Sequence, residues 1–293
     1  MMNTKMKGYL FAITSAVMYG CTPLLARFIY ADGVNSLSLV FLRNLLSIPM
    51  LGILAFRQSK SLKVPMKALP TIALAAVMVG AVTPLLLYSS YLFIDSSTST
   101  VFHFIYPAAV VLGGVLFLKE RAHWGTLLSV LLCVVGVCLF YTPGEPLDWR
   151  GVTLALTSGI TYAVYIMMLS AFKYKEVQGF LLSFYIACIC AVVMLAVCLV
   201  SNSLILPKTP LAWGLAIVFA FSTNVVAMVL FQQGAFLAGG QQAAILSTME
   251  PITSILVDVC IFHVVIGPNT IVGSMLVLAA TVMTAVIGMR KKD

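Results

Sequence analysis

The chain has 293 residues, of which 61% are apolar and 9% charged, with a formal net charge of +8. A soluble domain carries about a quarter charged residues; here 17 basic and 9 acidic side chains cannot cover a water-facing surface. The mean hydropathy of +1.08 makes lipid the solvent, which excludes both a soluble globule and a disordered chain.

Ten apolar stretches of spanning length follow in chain order, near 8–27, 37–56, 70–93, 97–118, 124–142, 151–171, 178–200, 211–236, 241–263 and 268–288. A helix needs about 20 residues to cross the hydrocarbon, so these leave only short connections. Turn-like or charged pieces such as Ala31-Asp32-Gly33, Lys119-Glu120-Arg121 and Gly239-Gly240 separate them. Near-continuous apolarity without strict alternation favours helices over barrel strands. Lys and Arg flanking spans stay on the cytoplasmic side. With the amino terminus inside, 13 of the 17 basic residues fall on inner segments, and an even span count places both termini in the cytoplasm. The positive charge is therefore topology, and no nucleic-acid partner is read into it. The first stretch reads as a retained span, with no convincing small-x-small cleavage site after it. A multi-pass protein of the plasma membrane follows, with the lipid bilayer as its surroundings and a homodimer as a compatible assembly.

Shifting the sequence by 143 superposes Gly8, Ala12, Thr14, Ser15 and Tyr19 on Gly151, Ala155, Thr157, Ser158 and Tyr162; a shift of 144 brings Pro107 onto Pro251, Leu112 onto Leu256 and Thr126 onto Thr270. Each half, 1–147 and 148–293, holds five spans. Five is odd, so the second half enters the membrane upside down. The expected fold is all-α and integral to the membrane, with ten transmembrane helices as two inverted five-helix repeats. Such a pair has two nearly equivalent packings, one open to each side, which is a basis for alternating access around a central cavity.

Ile105-Tyr106-Pro107 followed by Phe117-Leu118-Lys119-Glu120-Arg121, and Met249-Glu250-Pro251 in the ninth span, resemble the EamA-type branch of the drug/metabolite transporter superfamily. The resemblance covers nearly the whole chain. It implies a secondary transporter, often an exporter of amino acids or other small metabolites. The chain departs from the family pattern where the end of the fourth span, Leu118 to Arg121, aligns with Phe262, His263, Val264 and Val265, so Glu120 has no counterpart in the second half.

A charge at the bilayer centre costs at least about 2.5 kcal/mol, so each one retained there needs a partner, water or a role. Glu250 falls close to the midplane, and Ser247, Glu250, Ser254 and Asp258 share a stripe of roughly 80° expected to face the bundle interior. Pro251 cannot donate to the carbonyl of Ser247, and its repeat mate Pro107 does the same in the fourth span, so both helices are expected to bend or open there. Tyr19, Tyr162, Tyr106 and Asn224 fall at similar depth. With Glu250 and Ser247 they make the predicted substrate-binding set. A carboxylate among phenol rings suits an organic cation or zwitterion. No Lys or Arg is expected at that depth, which disfavours anionic cargo.

Arg43, His103 and Asp258 form a second layer in the outer half. Arg43 has two acidic partners open to it, Asp258 and Asp95, and a pair made in one orientation only would gate the cavity. With Glu250, these are the predicted proton-coupling or gating residues. The seven cysteines lie in apolar runs, and no His or Cys spacing gives a metal site, so neither metal nor cofactor is expected. His103, His123 and His263 are dispersed and stand beside no serine nucleophile, which argues against an intramembrane enzyme. The sequence thus reads as a secondary transporter of small organic metabolites, amino acids or organic cations, exporting by alternating access, with a facilitative uniporter or channel as the alternative.

Overall fold

A computed structural model describes residues 4–90, 92–94, 96–119, 123–139, 148–173, 177, 179–262 and 267–290; the side chains of 96–98, 101, 258, 262, 270, 285 and 288–290 are outside that description. The described regular structure is helical throughout. Seven helical runs are long and apolar enough to cross a membrane: Thr4–Ala31, Ser36–Ser59, Met66–Ser90, Trp149–Ser170, Phe180–Val200, Pro210–Ala238 and Gly240–Ile261. Three further apolar helices are Tyr106–Phe117, Trp124–Cys138 and Pro268–Arg290. Taken with the short helix Ser96–His103 before Tyr106, these make ten segments in chain order, numbered below from first to tenth.

Side chains sort as lipid requires. Large apolar residues such as Phe117, Val200 and Leu116 point outward, whereas Ser38, Asn44, Ser129, Thr223 and Gln232 are buried between helices. The ends are capped in the ordinary way. Asn35 Oδ1 accepts from the Ser38 amide at 2.8 Å to start the second segment, and Thr209 Oγ1 accepts from Ala212 at 3.2 Å beside Pro210 to start the eighth. Gly239, at φ +98°, makes the tight link between the eighth and ninth segments, a conformation that disfavours any side chain.

The packing between halves is reciprocal. The second segment lies on the seventh and the fifth on the tenth; the first lies against the eighth and ninth, and the sixth against the third and fourth. Local irregularities recur as well. The fourth segment is interrupted at Phe104-Ile105 before Tyr106–Phe117, which carries Pro107 in its first turn. The ninth is interrupted at Ser247-Thr248 before Met249–Phe262, which carries Pro251. In both, the proline cannot donate to the carbonyl four residues back, and the chain closes that turn with three-residue bonds such as Glu250 N to Ser247 O at 2.9 Å. The third and eighth segments each contain a π-helical stretch, Ala76–Val82 and Phe221–Ala227. In the third, Pro84 releases the Gly80 carbonyl, which faces the Asn44 amide at 3.5 Å.

Candidate functional site

A cavity opens between the first, second, third, fourth, sixth and ninth segments. Its wall takes Tyr19, Thr22 and Pro23 from the first, Arg43 from the second, Thr83, Leu87 and Tyr88 from the third, and His103 from the fourth; Tyr162 comes from the sixth, and Glu250 and Ser254 from the ninth. A larger groove of about 860 Å³ runs between the fifth and tenth segments, but its wall is apolar apart from His123 and Trp124 and it holds none of the predicted residues. Chemistry therefore selects the smaller cavity.

Glu250 reaches this cavity because the ninth helix restarts at Met249, which places the carboxylate in the first turn after the break. No hydrogen bond or ion pair from the described residues holds that carboxylate, while the phenols of Tyr19, Tyr106 and Tyr162 lie within its electrostatic reach. Close approach of the first segment fixes the ninth beside it. Gly20 O accepts from Ser254 Oγ at 2.9 Å, and a Cβ at Gly20 would stand 2.5 Å from Thr253 Cβ and 2.7 Å from the Glu250 carbonyl. Only a glycine permits that contact.

Aromatic rings pack against the cavity-lining Tyr162 and His103. Tyr106 meets Tyr162 edge-on at 4.9 Å and His103 at 5.4 Å, and Tyr162 stacks on Tyr165 at 6.0 Å and leans on Phe231 at 5.8 Å. Below them Gln232 donates to Tyr165 Oη at 3.1 Å and accepts from Ser183 Oγ at 3.1 Å. His103 is buried, with Nδ1 2.8 Å from Ser158 Oγ. That hydroxyl's one proton goes to the Ala155 carbonyl at 2.6 Å, so His103 Nδ1 is the donor and its Nε2 carries the lone pair. Ser15, aligned with Ser158, donates to the Ala227 carbonyl at 2.7 Å. The twin serines thus tie the first segment to the eighth and the sixth to the fourth.

Of the predicted substrate-binding set, Glu250, Tyr19 and Tyr162 line the cavity. Tyr106 lies one layer deeper, 1% exposed, in the aromatic floor. Ser247 is buried beside the Tyr106 phenol and donates to the Ala243 carbonyl at 2.7 Å, away from the cavity wall. Asn224 is a correction. Its amide is spent on the second segment, donating to Arg43 O at 3.1 Å, Asn44 Oδ1 at 3.1 Å and Ser47 Oγ at 3.3 Å, so it braces the helix that carries Arg43 and faces no cargo. The reason is its place in the π-helical stretch Phe221–Ala227, where an extra residue turns the following side chains by about a quarter-turn relative to an ideal helix.

The gating residues also move. Arg43 and His103 both line the same cavity as Glu250, so the two groups of expected residues share one chamber. Asp95 and the side chain of Asp258 lie outside the described residues, as do Glu120 and His263. Sequence reasoning passed over Thr83, whose hydroxyl meets that of Thr161 at 2.8 Å and ties the third segment to the sixth. The signal available was Pro84 beside it.

A bundle of apolar helices around a partly polar chamber fits a multi-pass membrane transporter. The EamA-like transporter family model matches residues 6–142 and again 149–286, and the chain belongs to that family. It is 25% identical over 214 residues to a biotin transporter of Escherichia coli (strain K12), covering 70% of this chain and 71% of that one. With an uncharacterized inner membrane transporter, YicL, of Salmonella typhimurium it shares 25% identity over 99% of both chains. A solved crystal structure, 15% identical, superposes with a TM-score of 0.80 over 98% of this chain and 99% of its own, and so shares the fold.

Proposed function

We propose that the protein is a ten-span secondary transporter of the plasma membrane, built as two inverted halves over 1–147 and 148–293, which moves small organic metabolites by alternating access. Reciprocal packing of the halves, with matching breaks at Pro107 and Pro251, supports the inverted reading. Under the inside-positive orientation the cavity takes its wall from the outer ends of the first and third segments, which supports an outward-facing reading of this packing. Exchange of roles between the halves would open the other side.

One observation carries the function: Glu250, an acid without a partner among the described residues, stands at the wall of a chamber that Tyr19, Tyr88 and Tyr162 also line. An acid so placed can hold a proton in one state and cargo in the other, because the two compete for the same oxygen atoms. The account is therefore export of an amino acid or organic cation against inward proton movement, with Tyr19 and Tyr162 flanking the cargo and His103 and Arg43 on the chamber wall. Biotin, named for the Escherichia coli relative, is likewise a small organic metabolite.

Purified protein in liposomes under an imposed pH gradient tests this. Gradient-driven flux is expected in the native chain and lost in Glu250→Gln, while cargo-for-cargo exchange persists. Native flux indifferent to the gradient would make the protein a uniporter, and equal gradient-driven flux in the variant would remove the carboxylate from the mechanism.

A further inference from the structure

The chamber wall has a buried counterpart in the opposite repeat. By the shifts of 143 and 144 that superpose the halves, Thr22 matches Tyr165, Leu87 matches Phe231, Tyr88 matches Gln232, Thr100 matches Ala244 and His103 matches Ser247. Tyr19 and Tyr162 match one another, and both line the chamber. Apart from Arg43, whose segment aligns only loosely, every other lining residue has a repeat mate no more than 5% exposed. A mate turned to lipid would be exposed, so these side chains face into the bundle. Together they outline a second chamber that is shut.

Polar groups at its inner end are bonded to one another. Tyr165 of the sixth segment, Ser183 of the seventh and Gln232 of the eighth lie within about 9 Å of the inner ends of their helices, by the rise per residue and under the inside-positive orientation. Each is no more than 1% exposed. Gln232 donates to Tyr165 Oη and accepts from Ser183 Oγ, both at 3.1 Å. The three helices otherwise keep different company. The sixth packs on the third and fourth, the seventh chiefly on the second, and the inner part of the eighth chiefly on the first.

We propose that Tyr165, Gln232 and Ser183 form the inner gate, a neutral latch across three helices whose opening exposes the second chamber to the cytoplasm. Glu250 and His103 have the neutral mates Tyr106 and Ser247, so opening separates no charges at these positions. Each latch bond that breaks is exchanged for one to entering water, which keeps the cost of opening small. A buried ion pair in the same place would resist far more strongly. The proposal rests on the reading of the halves as inverted copies and names the side chains that hold one state closed.

The test follows two introduced thiols in the full chain, Thr100→Cys on the open chamber and its mate Ala244→Cys on the shut one. A membrane-impermeant maleimide is applied to right-side-out and inside-out vesicles, and peptide mass mapping assigns the modified residue among the seven native cysteines. Thr100→Cys should react from the outer face and Ala244→Cys, more slowly, from the inner face. Tyr165→Phe and Ser183→Ala each remove one hydroxyl from the latch. In either, Ala244→Cys should react about fivefold faster from the inner face, with Thr100→Cys no faster from the outer. The melting temperature in detergent shows whether each variant is folded, and one folded variant suffices. An unchanged or absent reaction at Ala244→Cys in the latch variants overturns the gate, as do equal increases at both thiols, the mark of general loosening. Thr100→Cys inert from outside, or both thiols reacting from one face, would instead reject the inverted reading itself.

Discussion

The fourth and ninth segments are built on one backbone plan and put to different uses. Each is interrupted two residues before its Tyr-Pro or Glu-Pro pair and restarts with that proline in its first turn. In the fourth, the residue before proline is Tyr106, 1% exposed in the aromatic floor. In the ninth it is Glu250, at the chamber wall with nothing from the described residues bonded to its carboxylate. A duplicated break is therefore a position at which the chain can install a function, and the side chain placed there decides whether that half contributes a seal or a site. Divergence of the two copies converts a symmetric scaffold into an asymmetric chamber with one acid.

The largest effect is expected from undoing that division. Exchanging the pair, Tyr106→Glu with Glu250→Tyr, keeps composition and both prolines. It moves the acid from the chamber wall into the buried aromatic cluster, at a cost of roughly 3 kcal/mol or more. Gradient-driven flux should vanish and the melting temperature should fall. A swapped protein that transports as the native one does would show that the two breaks are interchangeable.

A smaller effect probes the contact that seats the ninth break. Gly20→Ala places a Cβ 2.5 Å from Thr253 Cβ and 2.7 Å from the Glu250 carbonyl, so the first and ninth segments must part, at about 1–3 kcal/mol. Gly214→Ala, which meets nothing within 4 Å, serves as the matched control and should leave the melting temperature near its native value. Equal shifts in the two would mean that close approach at Gly20 is dispensable.

The smallest lies outside the bilayer. Asp32, in the connection after the first segment, accepts from the backbone amides of Lys208 and Thr209 and so ties the two halves at that end. The Lys208 amide foremost, then the Thr209 groups, hold its carboxyl below the usual carboxylate range. A carboxyl depressed in the folded state adds stability that is fully present above its unfolded value, about pH 4, and that fades as pH falls through the lower folded value. Asp32→Asn should flatten the acid limb of the melting-temperature profile, and a limb of unchanged slope would assign it to other groups.

Much of this was legible in the sequence. Apolar runs located the segments, since lipid leaves few ways to bury a backbone, and Pro107 and Pro251 announced the two breaks because a missing donor has a fixed address four residues back. Tyr19, Tyr162 and Glu250 were found at the chamber by depth alone. Depth failed for Asn224 and Arg43. For Asn224, a π-helical stretch changed the direction of the side chain without changing its height. For Arg43, counting residues along straight helices put it in a separate layer, whereas it lines the same cavity as Glu250. The fourth apolar stretch gave two short helices, Ser96–His103 and Tyr106–Phe117, because hydropathy reports what lipid tolerates and not where hydrogen bonding stops.

The central claim is that proton and cargo exclude one another at Glu250. It is tested most directly by counting protons in weakly buffered detergent solution near neutral pH as a ligand that drives exchange is added to saturation. The native protein should release protons on binding and Glu250→Gln should release none; zero release from the native chain, or the same release from both, would contradict the account.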